Sequence, residues 1–373
     1  MKEEFEVPGT VYVPVEALQR FMHDVFVALG VPEGDARICA EVLIASDIRG
    51  IPSHGINRLK MYYDRIKQGI LSPITRFEIV KETETTAVVD GHHGMGHVIG
   101  YKSMTLAMEK ARRYGMGAVA VRNSSHFGIA GYYALMAAEA GMIGMAFTNA
   151  RPSVAPTFSV EPMFGTNPIA FACPTDEEFP FCFDAATSIT QRGKIEVLAR
   201  LGKPTPAGWV ISRKGELATD TEAILKGIPK GEYALLPLGG AGEEMGGHKG
   251  YGLAVMVEIL CAALQSGAFL KDLSGFDERG NLRPHQLGHF FLAIDIEHFV
   301  PLEDFKRTAG SILRALRMAE KAPRAERIYT AGEKAHLAMK RAYERGIPIN
   351  PDLQRDIRLM RRELGLGDYG FPF

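Results

Sequence analysis

Cysteine is scarce in this 373-residue chain, and Cys39, Cys173, Cys182 and Cys261 stand far apart with no Cys-x-x-Cys pair. That excludes a disulfide scaffold and a thiolate zinc site, and makes buried free thiols the expectation. Long hydrophobic runs are missing too: the longest, Gly252 to Leu264, carries Glu258 and is too short to span a bilayer. Nor is there an excess of charge, with 43 Lys+Arg against 44 Asp+Glu. A sequence-independent nucleic-acid binder displaces counterions with a positive surplus that this chain lacks. Neither nucleic acid nor a membrane is expected as a partner. The opening Met-Lys-Glu-Glu-Phe-Glu puts acids where an export signal has its basic and apolar regions, so a cytoplasmic location is expected.

What is present is ordinary globular composition, 46% hydrophobic and 23% charged, in a chain long enough for at least two domains. Leu18, Phe21, Met22, Val25, Phe26 and Leu29 recur at three and four, predicting an amphipathic helix that Gly30 stops. A second helix is expected from about Asp35 and a third from near Asn57, with the loop Arg49-Gly-Ile-Pro-Ser-His-Gly55 between them. Further on, strands are expected at 85–90, 118–122, 143–148, 169–173, 179–183, 209–212 and 289–296. Helices are expected at 99–114, 131–140, 187–200, 249–266 and 302–319. The segment from Arg200 to Gly247 is turn-rich, and a last helix should be capped by Asn350 with Pro351 in its first turn. The mixture predicts α/β or α+β architecture.

Several clusters could carry chemistry. Gly94-Met-Gly-His-Val-Ile-Gly100 follows a strand and opens a helix, but its third glycine comes one residue late for a dinucleotide fingerprint. Gly246-Gly-His-Lys249-Gly-Tyr-Gly252 lacks the Gly-Lys-Ser/Thr order of a triphosphate loop. Lys249 at a helix N-terminus could still hold an anionic group of a cofactor. The pairs His93/His97 and His285/His289 have metal-ligand spacing on a helix but no carboxylate in the H-E-x-x-H position, and His289 begins a strand, so no metal site is expected. Three polar clusters say more: Ser53-His54-Gly55 with Arg58 after it, Asn123-Ser-Ser-His126-Phe-Gly128, and Asp184-Ala-Ala-Thr-Ser188. All three fall at strand ends or in loops, where binding residues concentrate. A histidine oriented by a carboxylate moves protons near neutral pH, and an arginine clamps a substrate carboxylate. Each histidine taken alone also reads as a structural hydrogen-bonder.

In order, Asp47-Ile-Arg49-Gly-Ile-Pro-Ser53-His54-Gly55-Ile-Asn-Arg58, Asn123-Ser-Ser-His126-Phe-Gly128, Phe164-Gly-Thr-Asn-Pro168-Ile-Ala-Phe171, Phe183-Asp184-Ala-Ala-Thr-Ser188, Gly246–Gly252 and Arg327-Ile-Tyr-Thr-Ala-Gly332-Glu333 closely resemble the malate/L-lactate dehydrogenase family of the second type. That family includes ureidoglycolate, sulfolactate and diketogulonate oxidoreductases and Δ¹-piperideine-2-carboxylate reductases. The resemblance spans residues 14–345. It implies an NAD- or NADP-dependent oxidoreductase interconverting a small 2-hydroxy acid and its 2-oxo acid by hydride transfer. Its alternative within the family is a reductase of a cyclic imine or keto-sugar acid; a metal-dependent hydrolase and a non-catalytic glycine-rich binding protein are the rivals outside it.

The resemblance further implies a homodimer, and a non-Rossmann nicotinamide-binding domain (119–299) inserted in a helix-rich substrate and dimerisation domain (1–118 plus 300–373). Carried over by motif, Ser53, His54 and Asp184 resemble a proton relay. Arg58 resembles a carboxylate clamp with Thr166 also at the substrate, and His126 an acid/base that touches the cofactor. Gly128, Asn149, Asn167, Pro168, Asp184, Ala185, Ala186, Lys249 and Gly250 resemble cofactor contacts. Whether His54 or His126 is the principal base stays open. One departure is Ala150, where a relative has a cofactor-binding Ser; Asn149 is the neighbour that would compensate.

Overall fold

The computed structural model describes residues 7–373. In chain order the elements begin with β1 (Val11–Val13), α1 (Val15–Ala28), α2 (Glu33–Ile48), α3 (Leu59–Lys67), β2 (Glu78–Glu82), β3 (Thr86–Asp90), α4 (Gly96–Tyr114) and β4 (Met116–Ser124). They continue with α5 (Ala130–Glu139), β5 (Met142–Thr148), β6 (Ile169–Cys173), β7 (Phe181–Ala185), α6 (Arg192–Arg200), β8 (Val210–Ser212), α7 (Thr221–Gly227) and β9 (Tyr233–Leu235). Last come α8 (Gly247–Ala262), β10 (Leu287–Asp295), α9 (Leu302–Arg317), α10 (Glu333–Arg345), β11 (Ile347–Ile349) and α11 (Pro351–Leu364).

The periodic helices form as their spacing predicts. Leu18, Phe21, Met22, Val25 and Phe26 of α1 are all fully buried, and Gly30 takes φ +88° beyond its end. α11 opens with Pro351, and the Asn350 side chain accepts from the Leu353 N–H at 2.9 Å. These helices share one core with α2, α3 and the short β1/β11 pair, in which Phe21, Phe26, Tyr62 and Met360 are sealed from solvent.

Among the described residues the main sheet has seven strands in the order β2-β3-β4-β10-β5-β6-β7, with β3 and β4 its one parallel pair. The fold is thus mixed α/β. β10 runs antiparallel between β4 and β5, and its alternation is read on both faces: Phe291 packs with Val119, Ala146, α4 and α5, while Phe290 packs with Phe147, Val257 and Cys261 of the α8 side. A third core of Val154, Phe164, Ile195, Val210, Ile224 and Leu235 fills the turn-rich region. Residue 118 falls inside β4, and β3 pairs with that strand. Among the described residues no helix is long and apolar enough to cross a membrane.

Of the expected boundaries that shift, two bear on the site. The helix expected at 187–200 begins only at Arg192, because the Thr187 hydroxyl donates to the carbonyls of Thr166 and Asn167 and Ser188 donates to that of Thr190. Such side-chain bonds offer the backbone an alternative to helix. β7 runs two residues later than 179–183, so Asp184 lies within the strand, paired with Ala170, and not after it.

Candidate active site

The loop after α2 presents Ser53, His54 and Arg58. It is held by Asp47 in the last turn of that helix, whose Oδ2 accepts the Ile56 N–H at 2.8 Å. Gly55 lies against this carboxylate so closely that a Cβ there would stand 2.0 Å from Oδ1. Burial pushes the Asp47 carboxyl up to about 8, against the Ile56 hydrogen bond, which lowers it. Within the loop Ser53 Oγ and His54 Nδ1 are 2.9 Å apart, and Arg58 Nε donates to the Ser53 carbonyl at 2.6 Å. Burial, then the charge of Arg58, brings His54 down to about 4, so the ring is neutral at pH 7.

The loop after β4 brings His126 to the same place. Its floor is fixed by Ser125, whose hydroxyl accepts the Gly96 N–H and donates to the Gly94 carbonyl, both at 2.9 Å. The His54 and His126 rings stack with centroids 5.5 Å apart and an interplanar angle of 20°. His126 Nδ1 lies 2.5 Å from the Tyr62 hydroxyl and 3.3 Å from the Gly128 N–H. Burial, followed by the charges of His54, Arg58 and Arg65, holds His126 well below the usual imidazole range. A cleft of about 740 Å³ opens beside Ser53 and Arg58, with Gln191, Gly193 and Trp209 on its far wall.

The remaining expected residues bond among themselves and to α8. Thr187 accepts nothing from a helix of its own; its N–H and hydroxyl reach the Thr166 carbonyl at 2.9 and 3.2 Å, tying the Thr166-Asn167-Pro168 turn to Ala185 and Ala186. Asn167, with φ +36°, donates to Ala254 and Glu258 of α8, the helix on which Lys249 and Gly250 stand. Gly250 packs on Leu238, where a Cβ would meet the carbonyl oxygen at 2.1 Å. Asn149 is committed elsewhere: its Oδ1 accepts the Gly288 N–H at 2.8 Å and its Nδ2 reaches the Ala268 carbonyl at 3.4 Å.

Asp184 is separate from the histidines in its bonding. Its Oδ2 accepts the Gly131 N–H at 2.7 Å in the first turn of α5, and burial pushes it up to about 6. Among the described residues no hydrogen bond joins it to His54 or His126.

The spacing-based pairs separate as well. His93 precedes α4 at φ +58° while His97 is inside it, between Phe26 and Tyr62. His289 is buried in β10 between Thr148 Oγ1 at 2.8 Å and Ser124 Oγ at 2.7 Å, stacked on Phe127, and His285 stands outside that strand. Among the described residues no three His, Cys, Asp or Glu side chains are grouped to hold a metal. The glycines of Gly94–Gly100 are filled by protein: a Cβ on Gly96 would meet the Ser125 carbonyl oxygen at 2.3 Å, and one on Gly100 the Tyr133 ring at 2.8 Å. They serve close packing and not a phosphate. Sequence reasoning missed Asp47 and Tyr62 as site residues, although Tyr62 stands one helical turn beyond Arg58.

Comparison with known proteins shows the family. A family model described as malate/L-lactate dehydrogenase matches residues 13–358. A malate dehydrogenase of Pyrococcus horikoshii is 46% identical over 354 residues, 95% of this chain and 96% of that protein. An L-sulfolactate dehydrogenase of Methanocaldococcus jannaschii is 37% identical over 93% of this chain and 96% of that one. The crystal structure of malate dehydrogenase from Entamoeba histolytica superposes with a TM-score of 0.93 at 43% identity, covering 98% of this chain and all of that one. With the histidine cluster in place and the match running nearly end to end, the chain belongs to the malate/L-lactate dehydrogenase family and is an oxidoreductase.

Proposed function

We propose that this protein interconverts a small 2-hydroxy acid of malate type and its 2-oxo acid, with NAD or NADP as hydride carrier. The observation that carries the reading is the stacking of two neutral imidazoles, both lowered by burial and by the charge of Arg58, which lines the adjoining cleft with Ser53. Oxidising the acid requires the hydroxyl proton to leave C2–O–H toward a nearby acceptor, and a neutral imidazole within hydrogen-bond reach suits that task. Arg58 spends only Nε on the Ser53 carbonyl, leaving its two terminal nitrogens for a carboxylate. Arg65 is half-buried with its charge acting on His126, and among the described residues no carboxylate pairs with it or with Arg58. Two uncompensated guanidinium groups favour a doubly charged acid over lactate.

The donor set fits a nicotinamide dinucleotide. Lys249 stands in the first turn of α8, its own N–H on the Gly246 carbonyl at 2.9 Å, and further along the same helix Asn167 Oδ1 is buried without a hydrogen bond. We assign the phosphates to the Lys249–Gly250 turn and the nicotinamide end to the His126–Gly128 loop and the Thr166–Pro168 turn, with Ala185 and Ala186 between. Bound there, the cofactor supplies the acceptor for the C2 hydride. The mainly antiparallel sheet supports a cofactor domain of non-Rossmann type beside a helix-rich substrate and dimerisation domain, in a homodimer, and the boundary expected at residue 118 falls inside β4 of that sheet.

Absorbance at 340 nm with malate, sulfolactate and lactate, each with NAD and NADP, tests the reading. His54→Ala and His126→Ala should each lower kcat by at least the ~10²-fold typical of a lost acid/base group. Near-unchanged turnover in both variants refutes the site.

A further inference from the structure

The two histidines are not equivalent, and Tyr62 makes the difference. The Gly128 N–H lies 3.3 Å from His126 Nδ1, and an amide N–H can only donate. Nδ1 therefore carries the lone pair. The Tyr62 hydroxyl, 2.5 Å from the same atom, then donates to it as well. A neutral imidazole has one N–H, so the His126 proton resides on Nε2. Both groups stay neutral: burial raises the Tyr62 phenol far above its ordinary range, and burial lowers His126. Among the described residues nothing bonds to Nε2, and it is not among the atoms sealed from solvent.

His54 differs in one respect. Its Nδ1 faces a hydroxyl, Ser53 Oγ, which can donate or accept. With Nδ1–H donated to Ser53, the His54 Nε2 lone pair is open.

We infer that Tyr62, with the Gly128 amide, is a positioning residue that holds His126 in its Nε2–H tautomer, making His126 the hydrogen-bond donor to the substrate C2 oxygen and leaving His54 to take the hydroxyl proton. The assignment rests on the dehydrogenase reading above. The step balances: the O–H electron pair becomes the second C–O bond, the hydride leaves with its own pair, and the proton is taken up at His54 Nε2. In the reverse direction His126 polarises the 2-oxo group while His54 returns the proton.

Long-range ¹H–¹⁵N correlation spectra of the 373-residue chain, with the His126 signals identified by their loss in His126→Gln, read the tautomer without turnover. The expected pattern is Nε2–H for His126. A wild-type Nδ1–H pattern overturns the assignment whatever any variant does. Tyr62→Phe should give a mixed-tautomer pattern and lower kcat by about 2- to 10-fold, the equivalent of one hydrogen bond, with KM for the cofactor unchanged. An unchanged His126 pattern in a folded Tyr62→Phe protein removes Tyr62 from the role. If no 2-hydroxy acid is oxidised at all, the dehydrogenase reading fails while the spectra still decide the tautomer.

Discussion

Replacing Asp47 by Asn should make the protein more resistant to unfolding at alkaline pH than it is now. The carboxyl is buried in the last turn of α2 with Oδ1 lacking any partner, and its pKa stands at about 8 against 3.8 for the unfolded chain. Below pH 3.8 both states hold the proton and the group is silent. As pH rises from there toward 8, only the unfolded state ionises, so stability falls across that window and is level above it. About four units at about 1.4 kcal/mol each make the loss about 6 kcal/mol, an upper figure. Asn does not titrate, and its carbonyl oxygen can still accept the Ile56 N–H. Urea unfolding of both proteins at intervals from about pH 5 to 9 is the assay. The gap between the Asp47→Asn variant and wild type should widen in favour of the variant by up to about 1.4 kcal/mol per pH unit and then stop near pH 8. Parallel stability curves would refute the claim that Asp47 is folded with its proton on.

Arg58→Lys should raise KM for the hydroxy acid by at least about tenfold with little change in KM for the cofactor, since lysine keeps the charge but loses the two-pronged donor; steady-state kinetics with each substrate varied decides it, and equal rises count against a carboxylate clamp. Asp184→Ala should lower unfolding free energy by about 1 kcal/mol through loss of the α5 cap, while Asp184→Asn, which keeps an acceptor for the Gly131 N–H, should cost less and leave the pH–rate profile in place. A large fall in turnover with an upward-moved pH optimum in Asp184→Asn would restore Asp184 to a relay with His54.

Local rules made much of this molecule legible. α1 and α11 follow from apolar spacing and capping residues, and the edges of β4, β5 and β6 fall within two residues of expectation. Where reading failed, a partner remote in the chain had taken over a group. Asp184 is expected just beyond its strand, yet it lies within β7 and its carboxylate accepts the Gly131 N–H of α5, 53 positions earlier. Thr187 and Ser188 looked helical until their hydroxyls found carbonyls outside any helix. Tyr62 meets His126 over a separation of 64 residues, which no spacing rule spans. The loops bearing Ser53, His54, Arg58 and His126 were identifiable by residue type, but only the fold shows that two of these imidazoles lie face to face while Asp184 bonds elsewhere.

The position of β10 has a consequence for how the chain is made. It fills the slot between β4 and β5, strands that leave the ribosome well over a hundred residues before it. At about 5–20 residues per second, the facing edges of β4 and β5 wait on the order of ten seconds for the strand that joins them. During that interval two long apolar edges stand unpaired and open to other nascent chains. Slow, late sheet closure should therefore set the folding rate of this protein, and growth temperature and chaperone supply should govern its soluble yield more than its final stability does.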